Sequence, residues 1–201
     1  MTGTAKKQDM IEAEYKLRVR EQQLGRLENR IGELGFQAGK KLLEEDTYYD
    51  NAAGQIRGQD GALRIRQNRN LLTGESYAEV NYKGARLDPV SMTRTELECR
   101  TEDPLVLEQI LGQLGFHPCG VRVVKERQEY RREDVTLCLD RVRGLGTFLE
   151  AEILTEEEKR EEAVGRLGKL LEELGCSMTD NLRISYLGML MKQAEEDKEN
   201  N

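Results

Sequence analysis

The chain has a single histidine in 201 residues, no closely spaced cysteines and no long apolar run, and each shortage removes a class of function. With only His117 present, in a GFHPCG context that reads as a loop after a helix, a histidine-based nucleophile triad is excluded. Cys99, Cys119, Cys138 and Cys176 stand far apart without a C-x-x-C pair, so reduced, mostly buried thiols are expected in place of a zinc site or a disulfide framework. No stretch approaches the roughly 20 apolar residues of a membrane span. The opening MTGTAKKQD lacks the hydrophobic segment of a signal peptide, which points to a cytoplasmic protein with no membrane partner. Basic charge is also not in excess. The formal net charge of −7 argues against nucleic acid as a partner, while leaving room for a local basic site.

Charge of both signs is abundant: 34% of residues are charged, against about a quarter in ordinary domains. The stretch IEAEYKLRVR (11–20) shows where it goes. At period two, Ile11, Ala13, Tyr15, Leu17 and Val19 share one strand face, and Glu12, Glu14, Lys16, Arg18 and Arg20 share the other. The same alternation recurs at Arg64 and Arg66, at Arg94, Glu96, Glu98 and Arg100, at Lys125 and Arg127, and at Glu150 and Glu152.

A Glu-x-Glu strand followed by an amphipathic helix ending in Leu-Gly occurs three times, closing in GELGF (32–36), GQLGF (112–116) and EELGC (172–176). Leu24, Leu27, Ile31 and Leu34 mark the first helix, Leu107, Ile110, Leu111 and Leu114 the second, and Val164, Leu167, Leu171 and Leu174 the third. Gly35, Gly115 and Gly175 then occupy left-handed C-cap positions. Further strands are expected at 44–50, 62–68, 77–83, 92–100, 121–130, 135–141 and 147–153. A last helix starts near Asp180, and a polar tail over 193–201 is expected to be disordered. Residues 1–192 are expected to form one α+β domain.

Helices must cover the apolar strand faces, so the charged faces point either to bulk water or into a shared interior. Eight strands suffice to close a barrel that holds side chains or one small ligand. If the sheet closes, the lumen is charged, and burying so many ions costs several kcal/mol each unless a charged guest matches them. Carboxylates gather Mg²⁺ or Mn²⁺, and Arg and Lys hold phosphate oxygens. A plain sheet with a solvated face is the alternative.

The residues also resemble a known family. Glu12-x-Glu14-x-Lys16 is similar to the opening signature of the CYTH superfamily, the triphosphate tunnel metalloenzymes. The resemblance continues in order through DTYYD (46–50), ALRIR (62–66), NYKG (81–84), RTELE (94–98), KER (125–127), LDRVRGLGTFLEAE (139–152) and SYLGML (185–190). Ala85 stands where the family often has proline, which puts the local turn in doubt and not Lys83.

The resemblance implies an eight-stranded antiparallel β-barrel, a triphosphate tunnel, with helices packed outside. It implies metal binding by Glu12, Glu14, Glu150 and Glu152, with Mg²⁺ or Mn²⁺ as cofactor. Lys16, Arg64, Arg66, Lys83, Arg94, Lys125 and Arg127 would bind substrate, and Asp140 and Lys16 would be catalytic. The nearest group is the class IV adenylyl cyclases, which convert ATP to cAMP and pyrophosphate. A triphosphatase acting on inorganic, thiamine or nucleoside triphosphate and a non-catalytic nucleotide or polyphosphate module remain alternatives. A homodimer is compatible with the resemblance.

From the residues alone, Glu79 is expected to pair with Lys83. Tyr48, Tyr49, Tyr82 and Tyr130 are expected to serve sheet packing, with one of them lining the tunnel mouth as the alternative.

Overall fold

Eight strands close on themselves in the computed structural model, which describes residues 10–87 and 94–199. They are β1 (Met10–Val19), β2 (Gln37–Asn51), β3 (Ala62–Asn70), β4 (Ser76–Arg86), β5 (Arg94–Thr101), β6 (Phe116–Arg132), β7 (Val135–Val142) and β8 (Gly146–Glu156). Around the barrel the order is β1-β5-β4-β3-β2-β6-β7-β8, with every neighbour antiparallel. β8 closes on β1 along the whole of the first strand, from Met10↔Glu156 to Val19↔Thr147.

Helices α1 (Glu21–Glu33), α3 (Pro104–Gln113) and α4 (Arg160–Glu173) follow the three Glu-x-Glu strands, and a single turn, α2 (Gln55–Gly58), links β2 to β3. α1 buries Leu24, Leu27 and Ile31 and α4 buries Ala163, Leu167, Leu170 and Leu171. Both press on the outward residues of β1, β7 and β8, among them Ala13, Leu17, Leu137, Leu149 and Ile153. The alternation requires this. With apolar residues drawn under the helices, the next residue along each strand has to face inward.

α3 differs from its two counterparts. It lays Leu107 and Leu111 on Tyr49, Leu63 and Ile65, yet leaves Leu105 at 65% and Leu114 at 67% exposure. Its start is well specified: Asp103 accepts from the backbone N–H of Leu105 and Val106 at 3.1 and 3.0 Å, and Pro104 follows. All three helices end on a glycine of positive φ, 81° at Gly35, 85° at Gly115 and 76° at Gly175, a conformation in which a Cβ is strained.

Several expectations are corrected. The last helix, α5 (Tyr186–Glu199), starts after Asp180, which ends a short 3₁₀ turn, so Leu182 precedes the helix. The tail expected to be disordered from 193 continues that helix to Glu199, because Gln, Ala, Glu and Lys are good helix formers. His117 lies in β6 and not in a loop. Residues 92 and 93 of the expected fifth strand fall outside the described residues. At Ala85 β4 runs on, with a register shift between Lys83 and Arg86. Among the described residues no helix is long and apolar enough to cross a membrane.

Candidate active site

The barrel encloses a cavity of about 520 Å³ whose wall is the charged set of the alternating strands. On β1 and β8 the register sets Glu14 opposite Glu152 and Lys16 opposite Glu150. Lys16 Nζ lies 3.1 Å from Glu14 and 2.9 Å from Glu150, all three nearly enclosed. Burial pulls the lysine pKa down, but Glu14 and Glu150 more than reverse it, so the ammonium is held charged.

Across the lumen, Arg66 forks onto Asp46 at 2.6 and 2.9 Å and reaches Glu44 at 2.8 Å. Arg64 shares Asp46 at 3.1 Å. On β6, Lys125 lies 2.8 Å from Asp140 and 3.2 Å from Glu44. Arg127 grips Asp140 through Nε and Nη2, each at 2.7 Å, and also contacts Glu150. Lys83 on β4 joins Glu12 at 3.2 Å and Glu96. Six of the seven expected substrate-binding cations are thus brought into one lumen, each held by carboxylates. Arg94 lines the same cavity but spends its guanidinium on Asp60, at 3.6 Å, and on the carbonyls of Asp60 and Gly84.

The carboxylates divide into two electrostatic groups. Burial raises Glu44, but Arg66, Lys125 and Arg127 outweigh it and hold its pKa at about 2. Burial is likewise overcome at Glu96, which Lys83 draws down to about 2, and at Glu150, held well below the usual range by Lys16 and Arg127. Glu12 and Glu152 behave oppositely. Burial raises Glu12 well above its ordinary value, with Glu96 and Glu152 adding to it against Lys83. Burial pushes Glu152 up to about 7, with Glu150 and Glu14 adding to it against Arg127. Carboxylate is therefore in local surplus between β1 and β8, and a surplus of hard oxygen donors suits Mg²⁺ or Mn²⁺. Among the described residues no three such groups already converge as a metal centre; Lys16, Lys83 and Arg127 stand between them as bridging cations. The donor chemistry fits a divalent ion, and the present side-chain arrangement is an ion-pair network.

Glu79 does not pair with Lys83; it lies opposite Arg66 across β3 and β4, and its pKa is raised by burial with Glu98 adding to it. Sequence reasoning missed Glu44 and Asp46. In EEDTYYD the outward Glu45 and Thr47 are polar too, so the two-faced signal that marked β1 is blurred. It also missed the inward Asn68, which stands between the polar Gln67 and Arg69, the inward Asn81, which has no charge to mark it, and Tyr186, which lies on a helix where period two has no meaning. Tyr48 faces inward with Asp46 and packs with Val123, Phe148 and Tyr186, whereas Tyr49 packs under α3; both also border the cavity.

Comparison with known proteins agrees with this geometry. The CYTH domain pattern matches residues 10–186. A protein of Methanocaldococcus jannaschii, provisionally named an adenylate cyclase, is 33% identical over 179 residues, which cover 89% of this chain and 97% of that protein. The solved structure of the PH1819 protein from Pyrococcus horikoshii superposes with a TM-score of 0.80 at 34% identity, covering 90% of this chain and 99% of that one. A more distant structure, from Hippeastrum, has a TM-score of 0.58 at 21% identity and covers 83% of this chain and 88% of that one. It is described as a provisional adenylyl cyclase with a dominant triphosphatase activity. With the closed barrel, the inward charges and a pattern match over nearly the whole sequence in agreement, the chain belongs to the CYTH domain family.

Proposed function

We propose that this chain is a metal-dependent enzyme acting on a triphosphate held inside the barrel, and that the triphosphate is ATP, converted to cAMP and pyrophosphate. The observation that carries this reading is the set of six inward cations, Lys16, Arg64, Arg66, Lys83, Lys125 and Arg127, each held by carboxylates. A phosphate oxygen can replace a carboxylate oxygen at each of these cations without exposing the cation, and the carboxylates it displaces become free to hold a divalent ion.

In the cyclase reaction the ribose 3′-hydroxyl attacks the α-phosphorus, the bond from that phosphorus to the bridging oxygen breaks, and pyrophosphate leaves. A Mg²⁺ or Mn²⁺ ion held by Glu12, Glu14, Glu150 and Glu152 would supply Lewis-acid polarisation and a more acidic hydroxyl. The chain's own part is alignment and charge. Lys125 and Arg127 on β6 and Arg64 and Arg66 on β3 hold the phosphate chain in line from two sides. Lys16, between Glu14 and Glu150, supplies a positive charge beside the carboxylate surplus, where the reacting phosphoryl group meets it. Asp140 fixes Lys125 and Arg127 in place.

Hydrolysis of the terminal phosphate is the second reading, favoured by the triphosphatase activity described for the Hippeastrum protein. One assay separates the readings. ATP, thiamine triphosphate and tripolyphosphate are supplied with Mg²⁺ or Mn²⁺, and cAMP, pyrophosphate and phosphate are followed. Release of cAMP and pyrophosphate from ATP is expected. Phosphate release without cAMP replaces the cyclase with the hydrolase, and tight binding without turnover makes the chain a binding module.

A further inference from the structure

The block SYLGML carries a residue to which no role has been given. Residues 181 and 182 lie along β1, with a bridge between Leu17 and Asn181 and the Leu182 N–H donating to the Lys16 carbonyl at 2.7 Å. The chain then turns into α5, whose first residue, Tyr186, enters the lumen. Its ring packs in an apolar cluster with Tyr48, Val123, Val142 and Phe148, and the residue is 6% exposed. Phenylalanine would fill that space equally well, so packing does not require the hydroxyl.

The hydroxyl donates to Asp140 Oδ2 at 3.0 Å. Asp140, at 0% exposure, then receives four donors: Lys125 Nζ, Arg127 Nε, Arg127 Nη2 and the Tyr186 hydroxyl. Three of the four donors meet Oδ2 and one meets Oδ1, so the carboxylate is tied to its neighbours through both oxygens. The work of Asp140 is to hold its partners. The Tyr186 ring meanwhile lies 4.6 Å from Lys16 Nζ and 5.2 Å from Lys125 Nζ, inside the roughly 6 Å reach of a cation–π contact. One side chain from the C-terminal segment thus touches groups on β1, β6 and β7 at once.

We infer that Tyr186 is a positioning residue: through Asp140 it fixes Lys125 and Arg127, and through its ring it sets where Lys16 and Lys125 present their charges to a bound triphosphate. This rests on the proposed triphosphate site. Removing one hydrogen bond to a buried charge is worth about tenfold or more, so Tyr186→Phe, which keeps the ring, lowers kcat about tenfold with a smaller change in KM. Tyr186→Leu, which also loses the ring, in addition raises KM for the triphosphate. Leu190→Ala, which trims the same α5 packing cluster at a residue outside the cavity lining, lowers Tm while kcat and KM stay within about twofold of wild type.

Calorimetric titration with tripolyphosphate in EDTA gives a readout independent of turnover, and Tyr186→Leu weakens that binding. The inference is overturned if both Tyr186 variants keep wild-type kcat, KM and Kd, or if Leu190→Ala reproduces their losses. A chain that binds tripolyphosphate but turns nothing over defeats the proposed reaction alone, and the Kd of the Tyr186 variants then decides this inference. A wild-type chain that does not bind overturns both.

Discussion

Glu44 is shared among three cations of the lumen, at 2.8 Å from Arg66, 3.2 Å from Lys125 and 4.0 Å from Arg127. Its folded pKa, held at about 2, lies below that of the unfolded chain, so its stabilisation is complete above the unfolded value near 4.5 and is lost as pH falls towards 2. At about 1.4 kcal/mol per unit this is on the order of 3 kcal/mol. Urea midpoints at pH 7, 4 and 3 should therefore fall for wild type, and Glu44→Gln should be weaker at pH 7 and less dependent on acid. Equal acid sensitivity in the two proteins would remove Glu44 from its place in the network.

Among the cations, Lys125→Ala is expected to raise KM and lower turnover, since Lys125 sits between Glu44 and Asp140 on the substrate side of the wall. Glu12→Ala with Glu14→Ala should abolish metal-dependent turnover with Tm within a few degrees of wild type. Full activity in that double variant would end the assigned metal role. The sequence disclosed the faces of β1, β3 and β8 because their charge alternates strictly with apolar residues, as at Ala13, Ile65 and Ala151. Where charge occurs on both faces, as at Glu44 and Glu45, periodicity carries no direction and only the closed sheet decides.

At the scale of elements, the three repeat helices read alike in sequence but do not bury alike. α1 and α4 cover the wall of β1, β7 and β8, while α3 rests on fewer residues of β2 and β3. Local opening free energy follows buried apolar contact, so backbone amides of α3 should exchange before those of α1 and α4 in native-state hydrogen exchange. Asp103→Ala, which removes the cap, should widen the gap by about 1 kcal/mol. Protection in α3 equal to that in α4 would contradict this. The C-terminal segment shows a different limit of legibility. Its composition suggested disorder, yet the run of helix formers extends α5 to Glu199, with Lys192 and Glu196 at i,i+4 spacing and 3.9 Å apart. Tyr186 was hidden because its contacts, on β1, β6 and β7, lie far from it in sequence.

For the whole molecule, closure is what converts a row of surface charges into a solvent-poor lumen, and a ligand that matches the lumen must stabilise closure. Tripolyphosphate with Mg²⁺ at about 100 times Kd should add about 2.7 kcal/mol, a rise in Tm of a few degrees for a chain of this size. The same addition to Lys125→Ala should give a smaller rise, and identical rises would place the ligand elsewhere. Alternating segments and covering helices made the two faces of the sheet legible but left an open sheet beside the barrel, and only the resemblance to the CYTH superfamily pointed to closure.

The seam between β1 and β8 joins the first described strand to the last, with Lys16 and Glu150 meeting across it. All the strands between Lys16 and Glu150 must therefore leave the ribosome before these two partners can find each other. Long-range closure of this kind is slow, and until it happens each half of the nascent chain carries acids and bases with no chamber to put them in. The charged chamber, in such a design, arrives all at once.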